Sequence, residues 1–262
     1  MVIVARGSEI RTVDQWFDLA PPKKGRDHWV VGRSALECAR AWCSDGADPS
    51  VPVEIAGLLA SHPDTRGAVV RWATPEHQIR FDRFRGEPRN ADVVAFADHR
   101  GGALAITIEA KADEPFDELV RDVLLQGVKK VASDQPTNGI ARVQKLARSL
   151  LPPPVPGTKA LGELRYQLLT GVAGTIAFAS ENQASRAVFI IHEFVTDRTE
   201  DAKHRANAAD LDAFMERLTS GSTRSLPVGL LLGPFSIRGR PLFPPTTALY
   251  IGKAVRQCRT AR

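Results

Sequence analysis

The stretch that decides the fold covers residues 90–111 and reads NADVVAFADHRGGALAITIEAK. Its two runs rich in β-branched and aromatic residues, 92–97 and 103–110, flank a turn that contains Gly101 and Gly102. Paired glycines supply the positive φ angles that a hairpin connection needs. The stretch therefore predicts two adjacent antiparallel strands.

The second predicted strand ends in a charged pattern. Alternate side chains of a strand share a face, so Glu109 and Lys111 are expected on one side, with Ile108 and Ala110 packed into the core on the other. If the two strands pair through the hairpin, Asp92 lies opposite the end of the second strand. Three charged side chains are then expected to converge at one edge of the sheet.

Such a group of residues predicts a metal-assisted reaction. Two neighbouring carboxylates repel each other unless a cation lies between them, and oxygen ligands suit Mg²⁺ or Mn²⁺ better than zinc. A divalent ion polarises a phosphoryl oxygen and lowers the pKa of a water, while a lysine orients the nucleophile or stabilises developing charge. The pattern indicates phosphodiester hydrolysis, and no GxSxG, HExxH or P-loop motif competes with it.

Helices and strands interleave along the rest of the chain. Helical spacing of apolar residues predicts helices at 13–19, 34–42, 51–60, 116–132, 140–150, 161–179 and 202–218. Short β-rich runs predict strands at 69–72, 78–81, 186–195, 228–232 and 248–251. The predicted fold class is α/β, with a mixed central sheet flanked by helices.

One helix start carries a specific signal. Ser34 and Glu37 have capping-box spacing, so their side chains are expected to bind free amides of the first helical turn. Asp45, Gly46 and Pro49 are expected to end this helix.

The domain prediction is one unit over residues 1–262, with 1–50 as an N-terminal helical extension and 152–157 as a proline-rich connector. The connector leaves two domains as an alternative. The second half has too few predicted strands for a sheet of its own, which favours a single domain.

Composition excludes several classes of protein. A chain of 262 residues that is 43% hydrophobic and 25% charged is neither disordered, nor collagen-like, nor a disulfide scaffold. No apolar run approaches the roughly 20 residues that a membrane-spanning helix needs, so no membrane partner is expected. The three cysteines form no CxxC pair, and the N-terminus lacks a signal-peptide apolar stretch. The expected compartment is cytoplasmic.

Charge is distributed unevenly. The net charge is +5, yet residues 203–262 hold ten basic and three acidic side chains, and the first 202 residues hold 25 basic and 27 acidic ones. A basic C-terminal segment is compatible with a polyanionic partner, and an ordinary solvated surface is the alternative.

At the charged hairpin the sequence resembles the PD-(D/E)XK nuclease superfamily, which has the restriction-endonuclease-like fold. The resemblance lies in Asp92, sixteen intervening residues and then Glu109-Ala110-Lys111, although Ala91 replaces the proline of the family name. It covers the α-β-β-β-α-β core of that family, whose pieces occur here in order. The segments 32–35 and 165–169 also resemble an uncharacterised bacterial group with this fold.

This resemblance implies a function for each matched residue. Asp92 and Glu109 correspond to metal ligands, Lys111 to the catalytic lysine, and Glu54 to the acid that many members carry on the first helix. The implied activity is that of a Mg²⁺- or Mn²⁺-dependent deoxyribonuclease, with DNA favoured over RNA. A homodimer is among the expected assemblies, because many enzymes of this fold cut both strands as dimers.

Weaker candidates and alternative functions remain open. Gln126 and Gln167 are auxiliary candidates that could hydrogen-bond a water or a phosphate, whereas Glu76 and His77, just after Pro75, are expected in a turn with a structural role. One alternative is a catalytically silent nucleic-acid-binding or assembly module with the same fold. Another is a metal-dependent hydrolase of small phosphoesters or nucleotides.

Overall fold

The computed structural model describes residues 1–44, 48–243 and 247–258. Asp45 and Gly46, predicted to end a helix, and Arg259 and Arg262 of the basic segment lie outside the described residues. The helices are α1 Val13–Leu19, α2 Ser34–Trp42, α3 Val53–Ala60, α4 Val120–Ala132, α5 Gly139–Leu150, α6 Tyr166–Glu181 and α7 Asp201–Leu218. The strands are β1 Val2–Ala5, β2 Ser8–Ile10, β3 Val69–Ile79, β4 Arg89–Asp98, β5 Leu104–Lys111, β6 Arg186–Thr196, β7 Leu231–Phe235 and β8 Ala248–Cys258.

The described strands form one mixed sheet in the order β2-β1-β3-β4-β5-β6-β8-β7. The predicted hairpin is confirmed, since β4 and β5 pair antiparallel, whereas β5, β6 and β8 run parallel. Strands from both sides of the 152–157 connector join this sheet. The α/β class and the mixed, helix-flanked sheet are therefore confirmed.

Helices cover both faces of the sheet. Apolar residues of α1, α2 and α3 pack on one face, and those of α5, α6 and α7 pack on the other. All eight residues of β5 are buried, as expected for a strand covered on both sides. Gly171 of α6 lies so close to Phe189 of β6 that a Cβ there would come within 2.5 Å of its ring, so this glycine lets α6 approach the sheet.

Several local predictions were wrong. Residues 69–72 and 78–79 belong to one continuous strand, β3, which ends at Ile79, so Glu76 and His77 lie in the sheet and not in a turn. Residues 1–50 are not purely helical, because β1 and β2 form a hairpin whose first strand pairs with β3. The predicted helix at 116–132 begins only at Val120.

The expected capping box at the start of α2 is also wrong. Ser34 Oγ donates to Glu114 Oε1 at 3.1 Å, and Glu37 Oε1 accepts from the Gly32 amide at 2.8 Å. Arg33 occupies the N-cap position without a side-chain cap bond. The glutamate therefore binds an amide upstream of the helix, and an acid from another segment binds the serine.

Candidate functional site

The pairing of β4 with β5 places two acids side by side. Val93 and Ile108 are the last paired residues at this end of the two strands, and Asp92 and Glu109 are the residues directly beyond them. Asp92 Oδ2 accepts a hydrogen bond from the Ala110 amide at 2.7 Å. The structure thus brings Asp92 to the end of β5, where the sequence pattern places it.

Glu109 is surrounded by cations and donors. Its Oε2 lies 2.6 Å from Arg89 Nη2, and its Oε1 lies 3.2 Å from Lys111 Nζ and accepts from the Gln167 amide. The carboxylate is only 2% exposed. Burial alone would raise the pKa of Glu109, but the charges of Lys111 and Arg89 hold it below its ordinary value. Glu109 is therefore ionised inside the protein.

For Asp92, the effects that raise the pKa outweigh those that lower it. Burial, followed by repulsion from Glu109 and Glu76, raises its pKa well above the ordinary value, and the attraction of Lys111 only partly opposes this. Asp92 therefore holds its proton more strongly than an ordinary aspartate, and a cation beside it would oppose this shift.

Glu76 is a third acid of the cluster, and the sequence analysis missed it. Pro75 pairs with Val93 and His77 with Ala91, so Glu76 lies opposite Asp92. Burial raises the pKa of Glu76 to about 7; a hydrogen bond from Asn90 opposes this shift and repulsion from Glu109 adds to it. Reading 69–79 as one strand would have exposed the juxtaposition, but Pro75 argues for an interruption.

Arg89 was also missed. It begins β4, three residues before Asp92, and its side chain crosses to α6, where a Cβ on Gly174 would lie 2.8 Å from its Cδ. Its Nε is buried and has no hydrogen-bond partner among the described residues. Nothing in the local pattern around residue 89 reveals this, because α6 lies some eighty residues away in sequence.

Of the two auxiliary glutamines, the structure brings only Gln167 to the cluster, through its bond to Glu109. Gln126 is exposed on α4 and donates to Glu118 at 2.7 Å. Its predicted place beside the site is therefore wrong, because the apolar face of α4 and not its glutamine turns toward the protein.

Glu54 belongs to a separate ionic cluster. Its Oε1 lies 2.6 Å from both Arg256 Nε and His192 Nε2, and its Oε2 accepts from Arg256 Nη2 at 3.1 Å. Burial would raise the pKa of Glu54, but these bonds lower it to about 2. α3 packs on the sheet face opposite to α6, so the structure does not support Glu54 as a ligand shared with Glu109.

Another buried ionic group follows Lys111 across the sheet. Lys111 pairs in register with Glu193, which is bound by Lys253 Nζ at 2.7 Å and by His204 Nδ1 at 2.9 Å. Together with Arg89 and Glu109, these side chains form a row of alternating charge across β4, β5, β6 and β8. The row holds Lys111 between two acids.

Two of the three acids, Asp92 and Glu76, line spaces that share the lining residues Lys23, Glu76 and Asn90. Asp92, Glu76 and Asn90 line an inner cavity of ≈ 150 Å³. Glu76 and Asn90 also line an outer groove of ≈ 1080 Å³. The cluster is therefore reached past Glu76 and Asn90.

The chemistry of these donors fits a hard divalent cation. Within residues 1–44, 48–243 and 247–258, no three or more His, Cys, Asp or Glu side chains form a group that could hold a metal. Mg²⁺ commonly uses one or two carboxylates and keeps several waters. Asp92 and Glu109 supply two, and the raised pKa values of Asp92 and Glu76 show an excess of acid that a cation would offset.

A family model described as "Domain of unknown function (DUF6946)" matches residues 9–256, so the chain belongs to this family. No curated protein and no solved structure matches the chain. In the part of the chain that the structure describes, no helix is long and apolar enough to cross a membrane.

Proposed function

We propose that this DUF6946 member is a Mg²⁺- or Mn²⁺-dependent phosphodiester hydrolase, and specifically a deoxyribonuclease of the PD-(D/E)XK type. The observation that carries the proposal is that Asp92 accepts a hydrogen bond from the Ala110 amide, next to Glu109, with Lys111 two residues beyond Glu109 on the same strand and 3.2 Å from it. The order α3, β3, β4, β5, α6, β6, with β5 and β6 parallel, supports the restriction-endonuclease-like architecture.

Each residue of the cluster has a role in this proposal. Asp92 and Glu109 hold the metal, which when bound supplies Lewis-acid polarisation of a phosphoryl oxygen and of a water. Lys111 orients the attacking water and stabilises the negative charge that develops on the phosphate. Arg89 holds Glu109 in place through its Nη2. Gln167 fixes the other carboxylate oxygen of Glu109.

The test uses purified protein with linear, circular and single-stranded DNA and with RNA, each in Mg²⁺, Mn²⁺ or EDTA. We expect cleavage of DNA only with the metal, and a loss of about a thousandfold in Lys111→Ala. Lys130→Ala is the matched control, because Lys130 is an exposed lysine of α4 with no ion pair among the described residues. Cleavage that survives in Lys111→Ala would overturn the assignment.

One observation favours a second function, a catalytically silent binding or assembly module. Glu109 is 2% and Lys111 8% exposed, and Arg89 already neutralises Glu109. A buried, internally neutralised acid is also what a structural ion pair looks like. Binding of nucleic acid without cleavage of any substrate would support this module.

A binding site for Mn²⁺ gives a test that does not depend on turnover. Anomalous scattering from crystals soaked in Mn²⁺ is expected to show one ion between Asp92 and Glu109, and none beside Glu54. Turnover of nucleotides in preference to polymers, without the steep salt dependence of polyanion binding, would point instead to a small-phosphoester hydrolase.

A further inference from the structure

The outer groove that leads to the acids lies between two distant segments of the chain. Arg6 and Lys23, from the N-terminal region, line it together with His77 and Glu87, from the end of β3 and the following loop. Lys23 also lines the inner cavity that ends at Asp92. The groove and the cavity therefore share lining residues, and the cavity reaches Asp92, one of the two candidate metal ligands.

The N-terminal side of this path carries cations that are available to a ligand. Arg6 is exposed in the turn between β1 and β2 and has no carboxylate partner among the described residues. Lys23 Nζ lies 2.5 Å from Glu87, but the two side chains are 77% and 79% exposed. An exposed pair of this kind contributes little free energy, so Lys23 can exchange Glu87 for a phosphate.

The loop between β3 and β4 supplies Gly86, Glu87 and Pro88 to the groove and also carries exposed basic residues. Arg80 donates to the carbonyl oxygens of Phe84 and Gly86 and has no acid partner among the described residues. Arg83 and Arg85 are exposed and have no carboxylate partner among the described residues. The groove lining itself carries two cations, Arg6 and Lys23, and two acids, Glu76 and Glu87. The arginines of this loop therefore supply the excess of positive charge that attracts a polyanion.

The inner cavity limits what can reach Asp92. Its ≈ 150 Å³ are enclosed in part by the buried side chains of Trp16 and Cys38, beside Asp92 itself. This volume accepts a group of phosphate size with water, whereas a paired duplex is too wide to follow its phosphate inward. The outer groove, at ≈ 1080 Å³, has room for a short flexible segment and offers amide and imidazole groups at Asn90, Gln78 and His77.

We propose that this groove binds a single nucleic-acid strand, with Arg6 and Lys23 on its phosphates and one phosphodiester directed into the inner cavity. The inference rests on the proposed function and deepens it by naming the substrate class. It assigns part of the substrate-binding surface to the N-terminal region, residues 1–44. It also moves the polyanion contact away from the basic C-terminal segment, where Lys203, Arg217, Lys253 and Arg256 are engaged within the protein.

The experiment compares two double variants with equal loss of charge in the full chain. Arg6→Gln with Lys23→Gln alters the groove, and Arg224→Gln with Arg238→Gln alters two exposed arginines of the C-terminal segment that have no acid partner among the described residues. Binding of labelled single-stranded and blunt duplex oligonucleotides is measured by fluorescence anisotropy in EDTA at several salt concentrations. Because no metal is present, the readout is independent of cleavage.

We expect single strands to bind at least about tenfold more tightly than duplex. The groove variant should weaken single-strand binding about tenfold and lower the salt slope by about 1.4, at about 0.7 for each lost phosphate contact. The C-terminal variant should stay within about twofold of wild type. If this binding pattern is found but no DNA is cleaved in Mg²⁺, the groove assignment is supported and the proposed hydrolase activity is refuted.

Three results would overturn the groove assignment. The first is equal binding of duplex and single strand, and the second is a larger effect of the C-terminal variant than of the groove variant. The third is competition by a mononucleotide as effective as that by the oligonucleotide, which would indicate a small-ligand site. Cleavage of DNA combined with any of these would leave the hydrolase intact and refute only the groove.

Discussion

Two buried acidic clusters of this protein have opposite electrostatic balance. Glu54 meets His192 and Arg256, and its pKa falls to about 2, whereas the pKa of Glu76 rises to about 7 beside Asp92 and Glu109. Burial favours the neutral acid in both places, so the difference lies in the neighbours. Basic neighbours neutralise the acid of the Glu54 cluster, whereas in the second cluster the described acids outnumber the cations beside them.

The charges of the second cluster do not balance. Among the described residues, Arg89 and Lys111 are the close cations of Asp92, Glu76 and Glu109, which leaves one acid without a cation when all three are ionised. A group that is stabilised by its own protein has a structural role. A group with surplus charge in a cavity open to solvent is typical of a functional site.

The largest expected effect separates the clusters by activity. Asp92→Asn should lower metal-dependent cleavage about a thousandfold, because it removes a charged ligand at the reacting centre. Glu54→Gln should leave the rate within about threefold when assayed well below its unfolding temperature. Initial rates of cleavage of one DNA substrate are measured for both variants. An equal loss of rate in the two would show that the two clusters do not differ in function.

Stability should show the reverse order. Glu54→Gln leaves His192 and Arg256 without their acid and should lower the free energy of unfolding by about 3 kcal/mol. Because the folded pKa of Glu54 lies near 2, below its unfolded value of 4.5, this difference is present above pH 5 and disappears as the pH falls toward 2. Urea unfolding across this range measures it; a difference that does not change with pH would contradict the ion-pair account.

Glu76 should give a pH dependence of opposite sign. Its folded pKa of about 7 exceeds the ordinary 4.5, so the folded state loses stability as the pH rises between these values. Glu76→Gln in EDTA should therefore be more stable than wild type by about 2 kcal/mol at pH 8 and equal to it at pH 4. Saturating Mg²⁺ should reduce the gain at pH 8, because the cation offsets the repulsion.

The smallest expected effect concerns the support of Glu109. Gly174→Ala places a Cβ 2.8 Å from Arg89 Cδ, so the arginine must shift. We expect a cost of about 1 kcal/mol in stability and about a tenfold loss of cleavage. The same substitution in an Arg89→Ala background should cause no further loss of cleavage, which a double-mutant cycle measures. Additive losses would show that Gly174 acts independently of Arg89.

Short-range sequence patterns predicted the helices and strands better than they predicted the contacts between them. The alternation in β5 and the paired glycines correctly predicted the hairpin, and Asp92 and Glu109 are the residues directly beyond its last pair. Pro75 suggested a break because it cannot donate to a ladder, yet β3 continues through it. Because a break was predicted at Pro75, Glu76 was expected in a turn and not beside Asp92.

The residues that support the site were beyond sequence reasoning for a different reason. Arg89 reaches Glu109 only because α6 presents Gly174 beside it, and Glu54 fails to reach Glu109 because α3 covers the other face of the sheet. Both facts depend on packing between segments far apart in sequence.

The residues of 90–111 by themselves determined an antiparallel hairpin with two acids and a lysine at one end, because turn chemistry and the two-residue period of a strand are local. Only the tertiary structure decided which other charges meet them. Burial and long-range neighbours set the pKa values, completed the Glu54 cluster with Arg256 and left the Asp92 cluster with a surplus acid. Electrostatic balance inside a protein depends on three-dimensional proximity and desolvation, which no local pattern encodes.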